Sequence, residues 1–403
     1  MDLLVEGINL GLVIKSDLTR KITIDGNTEI YPVYKVRLNC LFYNDQNDRI
    51  ATWVSQYKAE KNIFKFDKSD FTSYNDIIQK FICDSNPDAI KKTQANIQIV
   101  KQREPGVVLA DGRIIDGNRR FTCLRNLSKT SQEFNYFETV IISKNINNNA
   151  KQIKMLELMI QHGEESKVDY NPIDRLVGIY NDIVENELLT ITDYSLSTGE
   201  TESEIKKKLE VATLLVEFLD TINAPKQFYL AREMDLNGPL VELYNILKKI
   251  QDDDIREATK NAAFTNFLVA PDGDMTRFIR NVKTIAKSEN FDEFLMEQTD
   301  IAETVLDDLP PTGQVTKETI SIIRAKDGLK QDMKNIMDKA INKVRIKEIR
   351  NRPAQILIKV GDSLEAVDLN IFKKLGEDQT AEVAIQLERI LDLISVIKEE
   401  LNV

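Results

Sequence analysis

Glycine and proline are scarce in this 403-residue chain, at 15 and 10 residues, which excludes collagen-like or linker-dominated structure and points to compact, helix-rich folding. Cysteine is scarcer still. Cys40, Cys83 and Cys123 are far apart and odd in number, so no CxxC pair exists to build a zinc ribbon and no disulfide framework is available. Reduced, mostly buried thiols are expected. The single histidine, His162, excludes HExxH and His-rich metal sites. It leaves one Ser-His-Asp arrangement open, which no GxSxG turn supports. GxxxxGK[ST] and GxGxxG are both missing, so neither an ordinary P-loop nor a Rossmann enzyme is expected. No uncharged apolar run reaches 18 residues, and 30% charged residues with a mean hydropathy of −0.31 exclude a largely membrane-embedded chain. The start, Met1-Asp2-Leu3-Leu4-Val5-Glu6, lacks the basic residues and apolar stretch of a signal peptide, which predicts a cytoplasmic protein without membrane contact. Positive charge is in the minority, 54 basic against 65 acidic residues for a net −11. That balance excludes a uniformly basic nucleic-acid coat but not a local basic face.

What the chain does have is 42% hydrophobic residues, ample for the cores of two or three domains. The first hundred-odd residues read as α+β. Ile30 to Tyr43 carries β-branched and aromatic residues at strand spacing, followed by the turn cluster Asn44 to Asp48. Gly106 to Leu109, Asp111-Gly112 and Arg113-Ile114-Ile115 read as a hairpin, because Asp-Gly tolerates the positive φ of tight turns. A helix begins near Asn118 and a further strand covers Phe137 to Ile142. Beyond Lys151 the pattern turns helical. Asn171-Pro172 opens one helix, Glu202 to Leu219 forms another, and Asp272-Gly273-Asp274 reads as a turn capping the next. The consecutive prolines of Asp307 to Gly313 mark a linker, after which residues 317–403 form a small helical unit. Two stretches run against the acidic background, Lys91 to Lys129 and Arg324 to Arg352. In the second, Lys343, Arg345, Lys347, Arg350 and Arg352 form a basic helical end before Pro353, read first as a solvated terminus.

The most informative stretch is Val107 to Leu127, VVLADGRIIDGNRRFTCLRNL. It predicts strand, turn, strand, then a tight Asp116-Gly117 turn into a helix with two arginines at its start. Unpaired backbone N–H groups and the helix dipole make such a start receptive to anions. Gly117 permits close backbone approach, and Arg119 and Arg120 offer charge-assisted hydrogen bonds to phosphate. The plainer alternative makes both arginines surface residues and Asp116 an N-cap.

IIDGNRRFTCLRNL resembles the G-x-R-R-x-x-A box of the ParB/sulfiredoxin-like superfamily. The resemblance covers roughly residues 40 to 220. Asn47-Asp48-Arg49 lies where ParB proteins carry a short Asn-Pro-Arg element, and Val168-Asp169-Tyr170-Asn171-Pro172-Ile173-Asp174 looks like the D-L-N-P-I-E start of their helical DNA-binding domain. The resemblance implies a fold of α+β class: an N-terminal mixed α/β domain over 1–165, a mainly helical domain with a helix-turn-helix over 166–307, and a helical C-terminal domain over 317–403. It implies nucleotide or phosphate binding by Asp116, Gly117, Asn118, Arg119, Arg120, Arg49 and Lys167, with Glu164 and Glu165 as approaches to a metal. The cofactor implied is a nucleoside triphosphate with Mg2+, with CTP and ATP not distinguished. Two departures stand out: the ParB E-N-x-x-R element is Gly163-Glu164-Glu165-Ser166-Lys167 here, and Asn118 replaces the catalytic cysteine of sulfiredoxin.

Downstream, Leu189 to Leu219 reads as helix, Gly-containing turn, helix. The second helix would present Ser203, Lys206 and Lys207 to DNA, with Val211, Leu214 and Leu215 facing the core. In the last helix Val383, Leu387, Ile390, Ile394, Ile397 and Leu401 recur at heptad steps, the spacing of a dimerising seam or of an amphipathic helix docked on its own domain. Together these features predict a ParB-like, nucleotide-responsive DNA-binding protein that forms homodimers, of the kind that acts in partition, transcriptional control, mobile elements or phage defence. The alternatives are a nuclease or nucleoside triphosphatase using the same pocket, and a non-catalytic adaptor.

Overall fold

A computed structural model describes residues 1–24, 27–142, 150–163 and 171–401. The α+β class is observed, with an N-terminal mixed sheet followed by a mainly helical remainder. The strands are β1 (Val13–Ile24), β2 (Asn27–Arg37), β3 (Gly106–Leu109), β4 (Ile114–Asp116) and β5 (Tyr136–Ile142). They form one sheet in the order β1-β2-β5-β3-β4. Only the β3–β5 pair is parallel. Alternation along the strands separates two cores. Val108, Phe137 and Ile141 face one side with Phe121, Leu124 and Leu127, whereas Val107, Leu109, Val140 and Ile142 face the other with Ile153 and Leu156.

The helices of the first part are α1 (Ala51–Lys61), α2 (Phe71–Ser85), α3 (Pro87–Val100), α4 (Asn118–Ser128) and α5 (Ala150–Gly163). The strand read over Ile30 to Tyr43 stops at Arg37. A 3-10 turn at Leu38–Cys40 follows, and Leu41, Phe42 and Tyr43 are buried without a ladder of their own, Phe42 forming only an isolated bridge to Arg113. Burial of an irregular segment leaves the same apolar run as a strand.

The helical remainder comprises α6 (Pro172–Tyr180), α7 (Ile191–Thr198), α8 (Glu202–Thr221), α9 (Phe228–Glu233), α10 (Asn237–Leu247), α11 (Asp253–Val269), α12 (Met275–Ile285), α13 (Phe291–Asp307), α14 (Lys317–Arg324), α15 (Asp327–Glu365), α16 (Leu369–Phe372) and α17 (Glu377–Leu401). Asn171 caps α6, its Oδ1 accepting from Ile173 N at 2.9 Å, and Asp274 caps α12 through Arg277 N at 2.9 Å. Helices α5 to α8 share a core of Leu158, Ile179, Leu189, Tyr194 and Ile205. The Pro310-Pro311 segment is tied to the α8–α9 loop: Asn223 Nδ2 donates to Pro310 O at 3.2 Å, and Gly313 N to Asn223 O at 2.7 Å. Helix α15 does not end before Pro353. It runs through the proline to Glu365. Pro353 costs one backbone hydrogen bond, and its exposed position leaves that carbonyl open to water.

By contacts the chain divides into two units, Met1–Ala340 and Ile341–Val403. No residue of α17 is buried, and the second unit exposes Ile356, Leu357, Ile358, Leu391, Leu393 and Val396 among others. No helix among the described residues is long and apolar enough to cross a membrane.

Candidate anion cleft

The turn between β4 and α4 is set by Gly117, whose φ of 98° lies in the left-handed region. An added Cβ would also sit 2.8 Å from the Phe137 ring, so only glycine fits there. Gly117, not Asp116, is the N-cap of α4, and no side chain caps the helix. The N-cap alternative for Asp116 is therefore set aside. Its carboxylate instead takes Arg120 at 2.8 Å and Arg20 at 3.2 Å through Oδ2, while Arg120 also donates to Glu104 O at 3.1 Å. Arg20, on strand β1, was not singled out from the sequence; nothing short of the fold brings it to a partner 96 residues away.

This turn opens on a cavity of about 290 Å³. Asp116, Gly117, Asn118, Arg119 and Arg120 form one wall, Asn47 and Arg49 a second, and Ser85, Asn86 and Thr93 of the α2–α3 corner a third. Ile82, Ile115 and Ile160 add apolar surface, and Gln161 of α5 closes the edge. The structure thus brings Arg49 to the box from 70 residues upstream. Ser85, Asn86, Thr93 and Gln161 carried no sequence signal beyond being polar.

The two box arginines differ. Arg120 is engaged with Asp116 and Glu104, as described. Arg119 makes no hydrogen bond or ion pair among the described residues. Burial, then the neighbouring Arg49 guanidinium, lowers its pKa from the usual arginine range. Two guanidinium groups facing one cavity at a helix N-terminus constitute a locally positive, partly desolvated place. The buried Oδ1 of Asn118 in the same wall lacks a hydrogen-bond partner among the described residues. These features fit a phosphate group. They offer less to magnesium: among the described residues no group of three or more His, Cys, Asp or Glu side chains is placed to hold a metal. Glu164, Glu165 and Lys167, expected at this site, lie outside the described residues.

Cys123 is buried in α4, with its thiol pushed up to about 12 by desolvation, so it is no nucleophile at neutral pH. Cys40 and Cys83 are half-buried and free.

Behind the cleft the Asn47-Asp48-Arg49 turn is fastened to the helical part. Asn47 Oδ1 accepts from Arg49 N at 3.0 Å. Asp48 accepts from Lys154 Nζ at 2.6 Å. Asp174 of α6, with its carboxyl pushed up to about 6 by burial, accepts from Thr52 N at 2.9 Å. Arg232 of α9 donates to Thr52 Oγ1 at 2.7 Å and stacks 4.0 Å above the Trp53 ring.

The expected helix-turn-helix has the predicted layout. Helix α7 ends at Gly199, which is left-handed (φ 72°), and Thr201 opens α8 with a capping box to Glu204. Ser203, Lys206 and Lys207 are exposed, and Val211, Leu214 and Leu215 are buried. Glu202 and Glu204 also occupy the first turn, which weakens its positive end. Glu200 in the turn ties the motif to α6, accepting from Arg175 of that helix at 2.7 Å and from Lys208 of α8 at 2.5 Å.

No protein-family model matches this chain, and no curated protein matches it either.

Proposed function

We propose that the cleft binds the phosphate of a nucleotide and that the protein is a ParB-like, nucleotide-responsive DNA-binding protein, with the exposed face of α8 toward DNA and two copies joined through α17. The observation that carries the reading is Arg119, partly buried beside Arg49 at the N-terminus of α4 with no acid to neutralise it among the described residues. A phosphate supplies the missing negative charge, and the apolar Ile82, Ile115 and Ile160 surface beside it suits a base or sugar. The order of parts supports the same reading, because a helix-turn-helix layout follows the cleft-bearing sheet. Titrating CTP, ATP, and each with Mg2+, against the protein by calorimetry tests it. Arg119→Ala should weaken binding by about 1.5–3 kcal/mol, the range for hydrogen bonds to charged groups. Equal affinity in folded Arg119→Ala, or no nucleotide binding by the wild type, refutes the proposal.

A further inference from the structure

A buried charge cluster lies directly behind the cleft wall. Asp48 stands between Asn47 and Arg49, both of which line the cleft, yet it is only 6% exposed and turned inward. Its partner Lys154 also donates to Gln46 O at 3.2 Å, and Lys154 Nζ lies 3.4 Å from Asp182 Oδ2 and 3.9 Å from Glu157 Oε2. Three carboxyl groups therefore surround one ammonium. Glu157 reaches the cleft by a second route: its Oε1 accepts from Gln161 Nε2 at 3.0 Å, and Gln161 forms the cleft edge. Its other oxygen accepts from Asn44 Nδ2 at 3.2 Å.

Fully ionised, these four side chains would carry a net charge of −2 largely out of water, a state proteins avoid by keeping protons. Burial pushes the Glu157 carboxyl up to about 7 and that of Asp182 up to about 8; in both, attraction to Lys154 opposes the rise and Asp48 adds to it. Burial alone would lower the Lys154 ammonium, but Asp48, Glu157 and Asp182 together hold it well above the usual lysine range. Among the described residues, the other charged or titratable groups facing the cluster are Arg49 beside Asp48, Asp174 and Arg175 of α6, and Tyr194 of α7. Guanidinium groups stay charged in proteins, and burial raises the Tyr194 phenol well above its ordinary range. Glu157 and Asp182 are the carboxyl groups of the cluster raised toward neutral pH, with Asp174 of α6 titrating below them, its carboxyl raised to about 6 by burial.

We infer that anion binding in the cleft is proton-linked: an anion settling against Arg49 and Arg119 draws a proton onto the Glu157–Asp182–Lys154–Asp48 cluster, and alkaline pH, by ionising the cluster, weakens anion binding. The sign follows from like charges. Negative charge arriving in the cleft disfavours negative charge behind it, so the bound state holds more protons than the free state, and by linkage protons favour the bound state. The inference rests on the cleft being an anion site.

Inorganic sulfate is the probe, because its charge is constant across this pH range. Calorimetry in buffers of differing ionisation enthalpy should show a fraction of a proton taken up per sulfate bound at pH 7.5. Affinity should fall about fivefold from pH 6.5 to 8.5, the low end of the range for coupled sites. Glu157→Gln with Asp182→Asn should abolish the uptake and flatten the pH dependence, and Asp182→Asn alone should reduce both if the double variant fails to fold. His162→Gln should leave the uptake in place, excluding the one histidine as its source. Sulfate binding without proton uptake, or equal uptake in wild type and a folded cluster variant, overturns the inference and leaves the cleft standing. No sulfate binding to the wild type overturns the cleft reading and this inference with it.

Discussion

Replacing Gly178 by alanine sets two well-calibrated effects against each other. Gly178 lies within α6, where alanine is favoured over glycine by about 0.8–1 kcal/mol through backbone entropy. On propensity alone Gly178→Ala should stabilise the protein. The packing argues the reverse. A Cβ at this position would stand 2.5 Å from Asp48 Cγ and 2.7 and 2.8 Å from its two carboxylate oxygens. Those atoms are the carboxylate of a short side chain, held in place by the 2.6 Å bond from Lys154 to its Oδ1, so relief requires moving α6 or breaking the pair. Overpacking of a tight interior costs about 1–3 kcal/mol, and disrupting a buried ion pair raises the cost to about 3–5 kcal/mol. Subtracting the helix gain leaves a net destabilisation of about 0–2 kcal/mol if α6 yields with the pair intact and about 2–4 kcal/mol if the Asp48–Lys154 pair breaks. At about 2–4 °C per kcal/mol for units of this size, the melting temperature should fall by several degrees. Because Asp48 adjoins Arg49, sulfate affinity should fall with it. Melts of wild type, Gly178→Ala, Asp48→Ala and the double variant complete the assay: the alanine should cost less once the Asp48 carboxylate is gone, with a coupling of at least about 0.5 kcal/mol. A melting temperature raised by Gly178→Ala, or the same cost in both backgrounds, refutes the reasoning.

Three further outcomes are expected. Arg120→Ala should lower stability by about 1.5–3 kcal/mol, the range for hydrogen bonds to charged groups, and should weaken anion binding less than Arg119→Ala, because Arg120 holds Asp116 and Glu104 O; melts and titrations of the two variants check the contrast. Lys206→Ala with Lys207→Ala should weaken DNA binding and lower the slope of log affinity against log salt by up to about two, each phosphate contact releasing roughly 0.9 counterion; a wild type without DNA affinity at low salt refutes the α8 reading. Ile390→Glu with Ile394→Glu should convert a dimer to a folded monomer in light scattering, since Leu387, Ile394 and Ile397 of the heptad seam are exposed and such a seam is buried by pairing with a second helix; a wild type monomeric at tens of micromolar refutes the dimer.

Elements with strong local punctuation were legible in the sequence. Asp111-Gly112 marked the β3–β4 hairpin, Asn171-Pro172 the start of α6, and Gly199 the end of α7. Strand β1 was not. Only Val13 and Ile22 of its twelve residues are buried, because it is an edge strand hydrogen-bonded on one side to β2, and an edge strand need not alternate. The continuation of α15 through Pro353 escaped for a different reason: a proline signals a helix end on average, while an exposed site tolerates the lost hydrogen bond. The charge cluster was the least legible of all. Lys154 and Glu157 are one helical step apart, but their partners Asp48 and Asp182 come from 106 residues before Lys154 and 28 after it. In sequence each is an unremarkable charge, expected at the surface.

Arg119 and Arg120 show how far adjacency in sequence misleads about chemistry. Read as a pair, they promise two phosphate ligands. On an α-helix, neighbouring residues point about 100° apart, and the helix here turns Arg120 onto the residue four before it, Asp116, while Arg119 is left facing Arg49. Asp116 then carries Arg20 as well, so this trio sums to a single positive charge held largely in internal pairing. For the proposed anion the groups on offer are Arg119 and, from a different element, Arg49, which keeps contacts of its own; the two approach only because the turn bearing Arg49 is pinned through Asp48 and Thr52 to α5, α6 and α9. The strength of the cleft therefore depends less on the motif than on the helices that hold its opposite wall, which is why a methyl group on α6 should be felt at the anion.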